Sequence, residues 1–471
     1  MRKRHWYHPL LLVALMYAWI GCRDTEKLTA PPDYGEIGTI VYSSHIQPIL
    51  ERSCALSGCH DAVSKAAGLS LASWNQLIKG STHGEVVVPF TPARSLLTLL
   101  FAGTPLRKQH PAISLEAFTM YEVRFLERWI AEGARNDSGI VPYRGAGRKL
   151  YVPNQGDDNV AIIDIDSLVV TRYIGVGRSP VIEGPHFVVA NDRFWYVSLV
   201  GAGQVWKFDA LADTLVGYAK IQGMPALLEL TPDGSKLYVS QFTTSMTNKV
   251  IVVNTSTMTV VNSITVWTMP HGMRMNHTGT KLYVANMMSD NISVIGLQDD
   301  EVITTIPLAS DAMPFGPAKY MPMEICISPD DSILMVTCSE TQEVRMFDAV
   351  RYTLIDSFIV GDQPWHLQFT PDGQFCYVAN RRGNSASMIH APMRHVMETI
   401  AGVSLFDYPH GCDVSVDGKY VFVSNENVGH RFTPRYNTDY VGNVCVIDGA
   451  TNQIVKVLEV GKMPTGLSVA R

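Results

Sequence analysis

Seven short apolar strands with related centres recur along residues 149–471, and no other feature of the chain restricts its fold as tightly. The centres are Leu150-Tyr151-Val152, Trp195-Tyr196-Val197, Leu237-Tyr238-Val239, Leu282-Tyr283-Val284, Leu334-Met335-Val336, Cys376-Tyr377-Val378 and Val421-Phe422-Val423, spaced 45, 42, 45, 52, 42 and 45 residues apart. Several follow a tight turn, at Asp233-Gly234, Asp372-Gly373 and Asp417-Gly418, where glycine admits a positive φ. Each is followed by a second alternating strand ending in Asp or Asn, as at 160–164, 250–254, 344–348 and 444–448, and then by a third strand leading to a proline corner. One such unit exposes sheet edges and an unburied face, so the array has to close on itself. Seven four-stranded units of this length predict an all-β seven-bladed propeller. The ends of the repeat indicate how the ring closes. Residues 461–470 read as an innermost strand with no following partner, and 150–153 lack the strand before them, so pairing the two completes a blade. The second unit departs from the pattern, because 181–192 carry no clear Asp-Gly turn. Longer inserts at 309–321 and 427–442 are expected to project from a rim.

The N-terminus has the form of an export signal. Arg2, Lys3 and Arg4 precede an apolar run from Leu10 to Ile20, too short to span a bilayer comfortably. The run ends in Trp19-Ile20-Gly21-Cys22, which resembles a bacterial lipobox with Trp19 in place of the usual leucine. On this reading 1–21 are a lipoprotein-type signal peptide, Cys22 is lipidated, and 22–39 form a tether. Acyl chains on Cys22 anchor the protein to a membrane, since each buried methylene contributes about 0.8 kcal/mol. Arg23 after the cysteine favours the outer membrane, and the location is the periplasm or the cell surface. The chain of 471 residues carries a formal charge of −6, or −9 without the three basic residues of the signal. That mild balance argues against nucleic acid or a polybasic membrane patch as partner.

The segment Cys54-Ala55-Leu56-Ser57-Gly58-Cys59-His60 lies between the signal and the repeats. Two cysteines followed at once by a histidine suit covalent haem attachment: each thiol adds to a vinyl group and the imidazole becomes an axial ligand of the iron. The loop holds four residues between the cysteines where two are usual. A small Cys54–Cys59 disulfide and a non-haem metal site are the alternatives. Five further cysteines, Cys326, Cys338, Cys376, Cys412 and Cys445, cannot all pair with one another, so at least one is a buried thiol or pairs outside the propeller. Helical spacing of Ile46, Ile49 and Leu50 predicts a short helix over 42–52. Leu69, Leu71, Trp74 and Leu77 add apolar surface. A closing helix is expected to be capped by Ser114, with Glu116 and Glu122 toward its start. Phe118, Tyr121, Val123, Phe125, Leu126, Trp129 and Ile130 form its buried face, and Gly133 ends it. Residues 137–148, rich in glycine and polar residues, read as a flexible linker.

Residues 40–136 resemble the small cytochrome c domains of large exported bacterial proteins. The resemblance rests on Ile46-Gln47-Pro48-Ile49-Leu50, on the cysteine loop ending in Cys59-His60, and on Trp129-Ile130 followed by Gly133-Ala134. It implies a small all-α cytochrome c domain holding one covalent haem c. In that family a Met-Pro pair before the last helix supplies the second axial ligand, and the matching position here reads Gln109-His110-Pro111. His60 and His110 are thus the implied axial ligands, with Met120 the main competitor and His83 and His45 behind it. Bis-histidine ligation implies a lower potential than methionine ligation. The repeats over 149–471 are similar to the YVTN family of propellers.

Propellers bind ligands at the mouth of the central channel, where the innermost strands open after their corner prolines. Those positions hold Ala226, His271, Met323, Trp365-His366, His410 and Thr465, with His186 less securely aligned. His271, His366 and His410 form a candidate channel site for an additional metal, an anion or a haem edge, and the bland alternative is a set of water-bonded channel residues. No serine nucleophile elbow, phosphate loop, His-Glu-x-x-His helix or calcium loop is present. The expected function is one-electron transfer, with the propeller docking a redox partner protein or presenting a small-molecule substrate. Two alternatives stand beside it: a redox enzyme with its site in the channel and the haem as electron outlet, and a surface-binding scaffold without a redox role.

Overall fold

Alternating apolar residues can bury only one side of a strand, and here each blade hides that side against the next. The computed structural model describes residues 37–102, 110, 118–145, 147–178, 182–242, 248–308, 310, 318–402, 404–435 and 439–470. The signal segment, Cys22, Ser114 and the two neighbours of His110 lie outside the described residues. Seven four-stranded antiparallel sheets follow one another around the channel. Blade 1 is assembled from both ends of the repeat region. Its innermost strand, Ser468–Val469, pairs with Lys149–Asn154 in the register Leu150↔Val469 and Tyr151↔Ser468, and Asn159–Asp164 and Val169–Gly175 complete the sheet. The closure expected from the two incomplete ends is the one observed. Blades 2 to 7 open on the innermost strands Pro185–Ala190, Met224–Leu230, Pro270–Met275, Pro322–Ile327, Pro364–Phe369 and Pro409–Val414.

The recurring Tyr and Asn have separate physical roles. Tyr238, Tyr283 and Tyr377 are buried and reach the next blade, their hydroxyls donating to Asp300, to the Ala349 carbonyl (3.1 Å) and to Asn452 Oδ1 (2.7 Å). The strand-end Asn286, Asn380 and Asn425 are fully buried. Their amides bond across the following hairpin to Asn291 and Ser293, to Ser385 and Ser387, and to Asn443. Such bonds satisfy polar groups that the closing blades remove from water. The Asp-Gly turns form as expected: Gly234, Gly373 and Gly418 sit at φ 69°, 69° and 70°. The second blade makes its turn without one, through Asn191, whose Oδ1 accepts from the Arg193 and Phe194 amides. All five propeller cysteines are buried free thiols.

Residues 40–102 and 118–136 are helical and irregular. A π-helical turn, Tyr42–Ile46, runs into the helix Gln47–Ser53, and short helices Trp74–Ile78 and Leu96–Leu99 follow. The closing helix is Met120–Ala131. Its cap is Thr119 in a capping box with Glu122, since these two satisfy each other's main-chain N–H groups, and the described helix starts later than the Ser114 cap anticipated. Phe125, Leu126, Trp129 and Ile130 are buried as expected, but Tyr121 is exposed and Glu122 is the buried residue beside it, held by Arg52 at 2.8 Å. The first and last helices thus meet through Arg52–Glu122 and through the rings of Tyr42 and Trp129, 5.5 Å apart.

This helical segment packs on the propeller, and Ile40–Arg471 form one compact unit. Arg94 pairs with Asp157 at 2.6 Å, donates to the Val460 carbonyl and lies over the Tyr173 ring. Lys456 donates to the Ser81 carbonyl, and Arg435, from the insert at 427–442, meets His83 at 3.2 Å. Within the stretch read as a linker, 141–143 are packed while 137–140 are exposed. Val141 is buried, the Pro142 carbonyl accepts from Arg172, and the Tyr143 hydroxyl donates to the Ile78 carbonyl. Among the described residues no helix is long and apolar enough to cross a membrane.

Candidate functional site

The Cys54–His60 loop follows directly from the helix Gln47–Ser53, whose last turn is closed by the Cys54 and Ala55 amides donating to the Leu50 carbonyl. The loop then folds on itself: the His60 amide donates to the Cys54 carbonyl, and the Ala66 and Leu71 amides donate to the Cys59 and His60 carbonyls. Main-chain bonds thereby hold both cysteines and the histidine in one tight turn. Cys54 and Cys59 are free thiols, so the disulfide alternative is not formed. Burial pushes the Cys54 thiol up to about 11, and neighbouring Cys59 adds to the shift.

His60 and His110 come together, with ring centres 5.9 Å apart and planes at 49°. Burial lowers the His60 pKa and His110 lowers it further, partly opposed by the Leu69 and Ala66 carbonyls. The imidazole is therefore kept in the unprotonated form that ligates metal. His60 Nδ1 is buried and, among the described residues, has no partner at good hydrogen-bond geometry. Two free thiols, an adjoining histidine and a second imidazole nearby are the residue types a covalently attached haem would use. The competitors are placed differently: Met120 opens the last helix and is 69% exposed, His45 Nδ1 accepts from the Val41 amide, and His83 faces Arg435.

The second cluster lies in the propeller channel, and the innermost strands explain how it forms. Six of them carry a register irregularity just after the corner proline, for example between Pro270 and Met273 or between Pro409 and Cys412. A bulge interrupts alternation and re-aims side chains. In blade 6 both Trp365 and His366 consequently reach His410, at ring separations of 5.7 and 5.2 Å. His186 stands between His271 and His410, at 5.9 and 5.3 Å. The Trp365 indole N–H donates to His410 Nε2 (3.2 Å); since an indole cannot accept, His410 Nδ1 carries the hydrogen that Glu426 Oε1 receives at 2.7 Å. Burial would raise the Glu426 carboxyl, but the bond to His410 and the Arg381 guanidinium outweigh it and hold it below the usual range. His271 Nδ1 donates to the Met323 carbonyl at 3.0 Å, and burial drops that imidazole to about 4. Burial also depresses His186 and His366 strongly, whereas Glu324 is raised to about 8 by burial.

His271, His366 and His410, predicted as channel residues, thus belong to one cluster. It also contains His186, less securely aligned by the repeat, and Glu324, Glu426 and Arg381, which the repeat spacing did not single out. The aligned prolines carried part of the signal: Glu324 and His366 each stand two places after one, at Pro322 and Pro364. Among the described residues no group of three or more His, Cys, Asp or Glu is arranged to hold a metal ion. Both His410 nitrogens are already engaged, which accounts for its part in that. Deeper in the channel, Glu229, Arg274, Asp413 and Ser468 line a cavity of about 240 Å³ together with Asn191 and His366.

No protein-family profile matches this chain. Over 167 residues it is 30% identical to a seven-bladed beta-propeller protein of Mycobacterium tuberculosis; the match spans 34% of this chain and 39% of that relative's length. Over 294 residues it is 20% identical to a 6-phosphogluconolactonase of Yersinia pestis, spanning 54% of this chain and 86% of that one. Among solved structures, the periplasmic gluconolactonase PpgL of Pseudomonas aeruginosa superposes with a TM-score of 0.54 at 17% identity, over 69% of this chain and 99% of that one. These likenesses agree with the seven-bladed fold.

Proposed function

We propose that the protein is an exported, lipid-anchored, c-type haem-binding protein that carries out one-electron transfer, its propeller docking the redox partner or presenting a small-molecule substrate. The observation that carries this reading is the approach of His60 to His110 at 5.9 Å beside two free thiols. A haem attached there supplies a ferrous–ferric couple. The chain's own residues attach, orient and insulate. Cys54 and Cys59 supply the two thioether sulfurs, and the main-chain bonds of the loop keep them beside His60. Burial keeps His60 unprotonated and ready to ligate at neutral pH. The Arg52–Glu122 pair ties the helix that leads into the cysteine loop to the closing helix Met120–Ala131. The basic N-terminus, the apolar run and Cys22 support export and anchoring.

The test is the pyridine haemochrome spectrum of the protein expressed with cytochrome c maturation machinery. One covalent haem per chain is expected, lost when Cys54 and Cys59 are both replaced by alanine. His110→Met is expected to retain haem and raise the potential, because methionine is the poorer donor to ferric iron. Absence of bound haem sinks the reading, and an unchanged potential in His110→Met removes His110 as ligand.

A further inference from the structure

Five cysteines fall within the propeller, and two of them meet. Cys326 lies on the innermost strand of blade 5. Cys376 lies on the second strand of blade 6, Phe375–Asn380, and the two are 50 residues apart in the chain. Their sulfur atoms are 3.7 Å apart, inside an apolar cluster shared with Met335, Leu367, Phe369 and Val378. An S–S bond is about 2 Å long, so about 1.7 Å of sulfur movement separates this contact from the bond.

The repeat marks Cys376 as a departure. In the six other blades the strand centre opens on leucine, tryptophan or valine, and blade 6 alone puts a thiol there. The other propeller thiols are placed differently. Cys412, on blade 7, approaches the Tyr377 carbonyl at 3.8 Å, as Cys376 does at 3.9 Å, and is the nearest competitor for Cys376. Cys445 meets Asn443 Oδ1 and the Leu405 carbonyl, and Cys338 lies near Glu343 and Arg345. Cys326 and Cys376 are both buried. Burial pushes the Cys376 thiol far up, and Cys326 adds to the shift, so the attacking thiolate is scarce once the blades have packed. A bond between the two therefore forms during folding, before blades 5 and 6 close on each other.

We propose that Cys326 and Cys376 are a cross-linking site, joined in an oxidising compartment by a disulfide that ties blade 5 to blade 6. The oxidant is itself a disulfide, on a protein or a small molecule. One thiolate attacks it, forming a mixed disulfide and releasing one thiol, and the second thiolate then displaces the other half. The two cysteines give up two electrons and two protons, and the oxidant leaves as two thiols. Export supplies such a compartment, so the occurrence of the bond in the native protein rests on the export reading above.

The test produces the full-length protein in a bacterial host in two forms, one behind its own N-terminal segment and one behind a known periplasmic signal. Each is alkylated with N-ethylmaleimide while denatured, digested without reduction and mapped by mass spectrometry. A peptide pair linked through Cys326 and Cys376 is expected, with Cys338, Cys412 and Cys445 alkylated. Alkylation of both Cys326 and Cys376 in the form carrying the known signal overturns the proposal, as does a link from either of them to Cys412. A Cys326–Cys376 link made behind the known signal but not behind the chain's own segment upholds the cross-linking site and removes export from the reading above.

Discussion

In blades 4 and 7 the innermost strand opens on the same tripeptide, Pro270-His271-Gly272 and Pro409-His410-Gly411, and its glycine serves packing. A Cβ on Gly411 would stand 2.7 Å from the Leu467 amide nitrogen, 2.8 Å from the Thr465 carbonyl oxygen and 2.9 Å from Ser424 Oγ. On Gly272 it would stand 2.4 Å from the Met323 carbonyl oxygen. Neighbouring innermost strands approach so closely at the channel mouth that no side chain fits between them. The histidine before each glycine reaches the channel because the glycine lets the backbones close. Gly411→Ala is therefore expected to destabilise the protein by about 1–3 kcal/mol, the usual cost of overpacking. Gly175→Ala, with nothing within 4 Å of the added carbon, is expected to stay within about 0.5 kcal/mol. Urea denaturation of the two variants side by side checks this. Equal stability would mean that the strands part easily.

At the scale of elements, the contact between the helical segment and the propeller contains a titratable group in an unfavourable place. Glu85 lies between the outer strands of blades 1 and 7, accepting weakly from the Val170 amide at 3.4 Å. Burial raises its carboxyl to about 8, Glu459 pushes the same way, and the two backbone bonds and Lys456 oppose. Tyr173, Tyr143 and Arg94 border the same pocket. The folded pKa is above the unfolded value of about 4.3, so the contribution to stability is complete below that value and is lost as pH rises through 8. Glu85→Gln, which mimics the protonated acid, is expected to match the parent near pH 4.5. By pH 8.5 it should be more stable by several kcal/mol, up to about 5, the linkage worth of that shift. Thermal melts across that range decide it, and a constant difference at every pH would show that Glu85 does not titrate with folding.

Across the whole molecule, stability rests on closure of the ring. The short strand Ser468–Val469 pairs with Leu150 and Tyr151, its Val469 amide reaches Asp413 in blade 7, and Thr465 accepts from Ser424 and donates to the His186 carbonyl in blade 2. The seven residues 464–470 thus join three blades. Deleting residues 464–471 leaves a sheet edge open on blade 1 and removes the ceiling over Gly411, so the single cooperative melt is expected to give way to a broad one or to aggregation. Calorimetry of the truncated protein is the measurement. A sharp transition at the parent temperature would show that six complete blades and one open one suffice.

What the sequence determined by itself was whatever is written in local, repeated signals. Strand alternation, Asp-Gly turns with positive φ and the spacing of the Tyr-Val centres specified seven blades, and the two incomplete ends specified their joint. The Cys54–His60 segment was equally local, since adjacent residues carry its chemistry. Tertiary structure alone decided which distant groups meet. Glu426 became the partner of His410 because a strand and the loop after the next one return to the same channel mouth. Glu324 and His366 came within 3.7 Å because a bulge turned consecutive side chains inward on neighbouring blades. The looseness expected of 137–148 is interrupted at 141–143, because Arg172 and Ile78 offered partners that no local reading contains. Periodicity fixes elements because it is a property of short stretches; a site is a meeting of residues far apart in sequence, and only the closed ring brings them together.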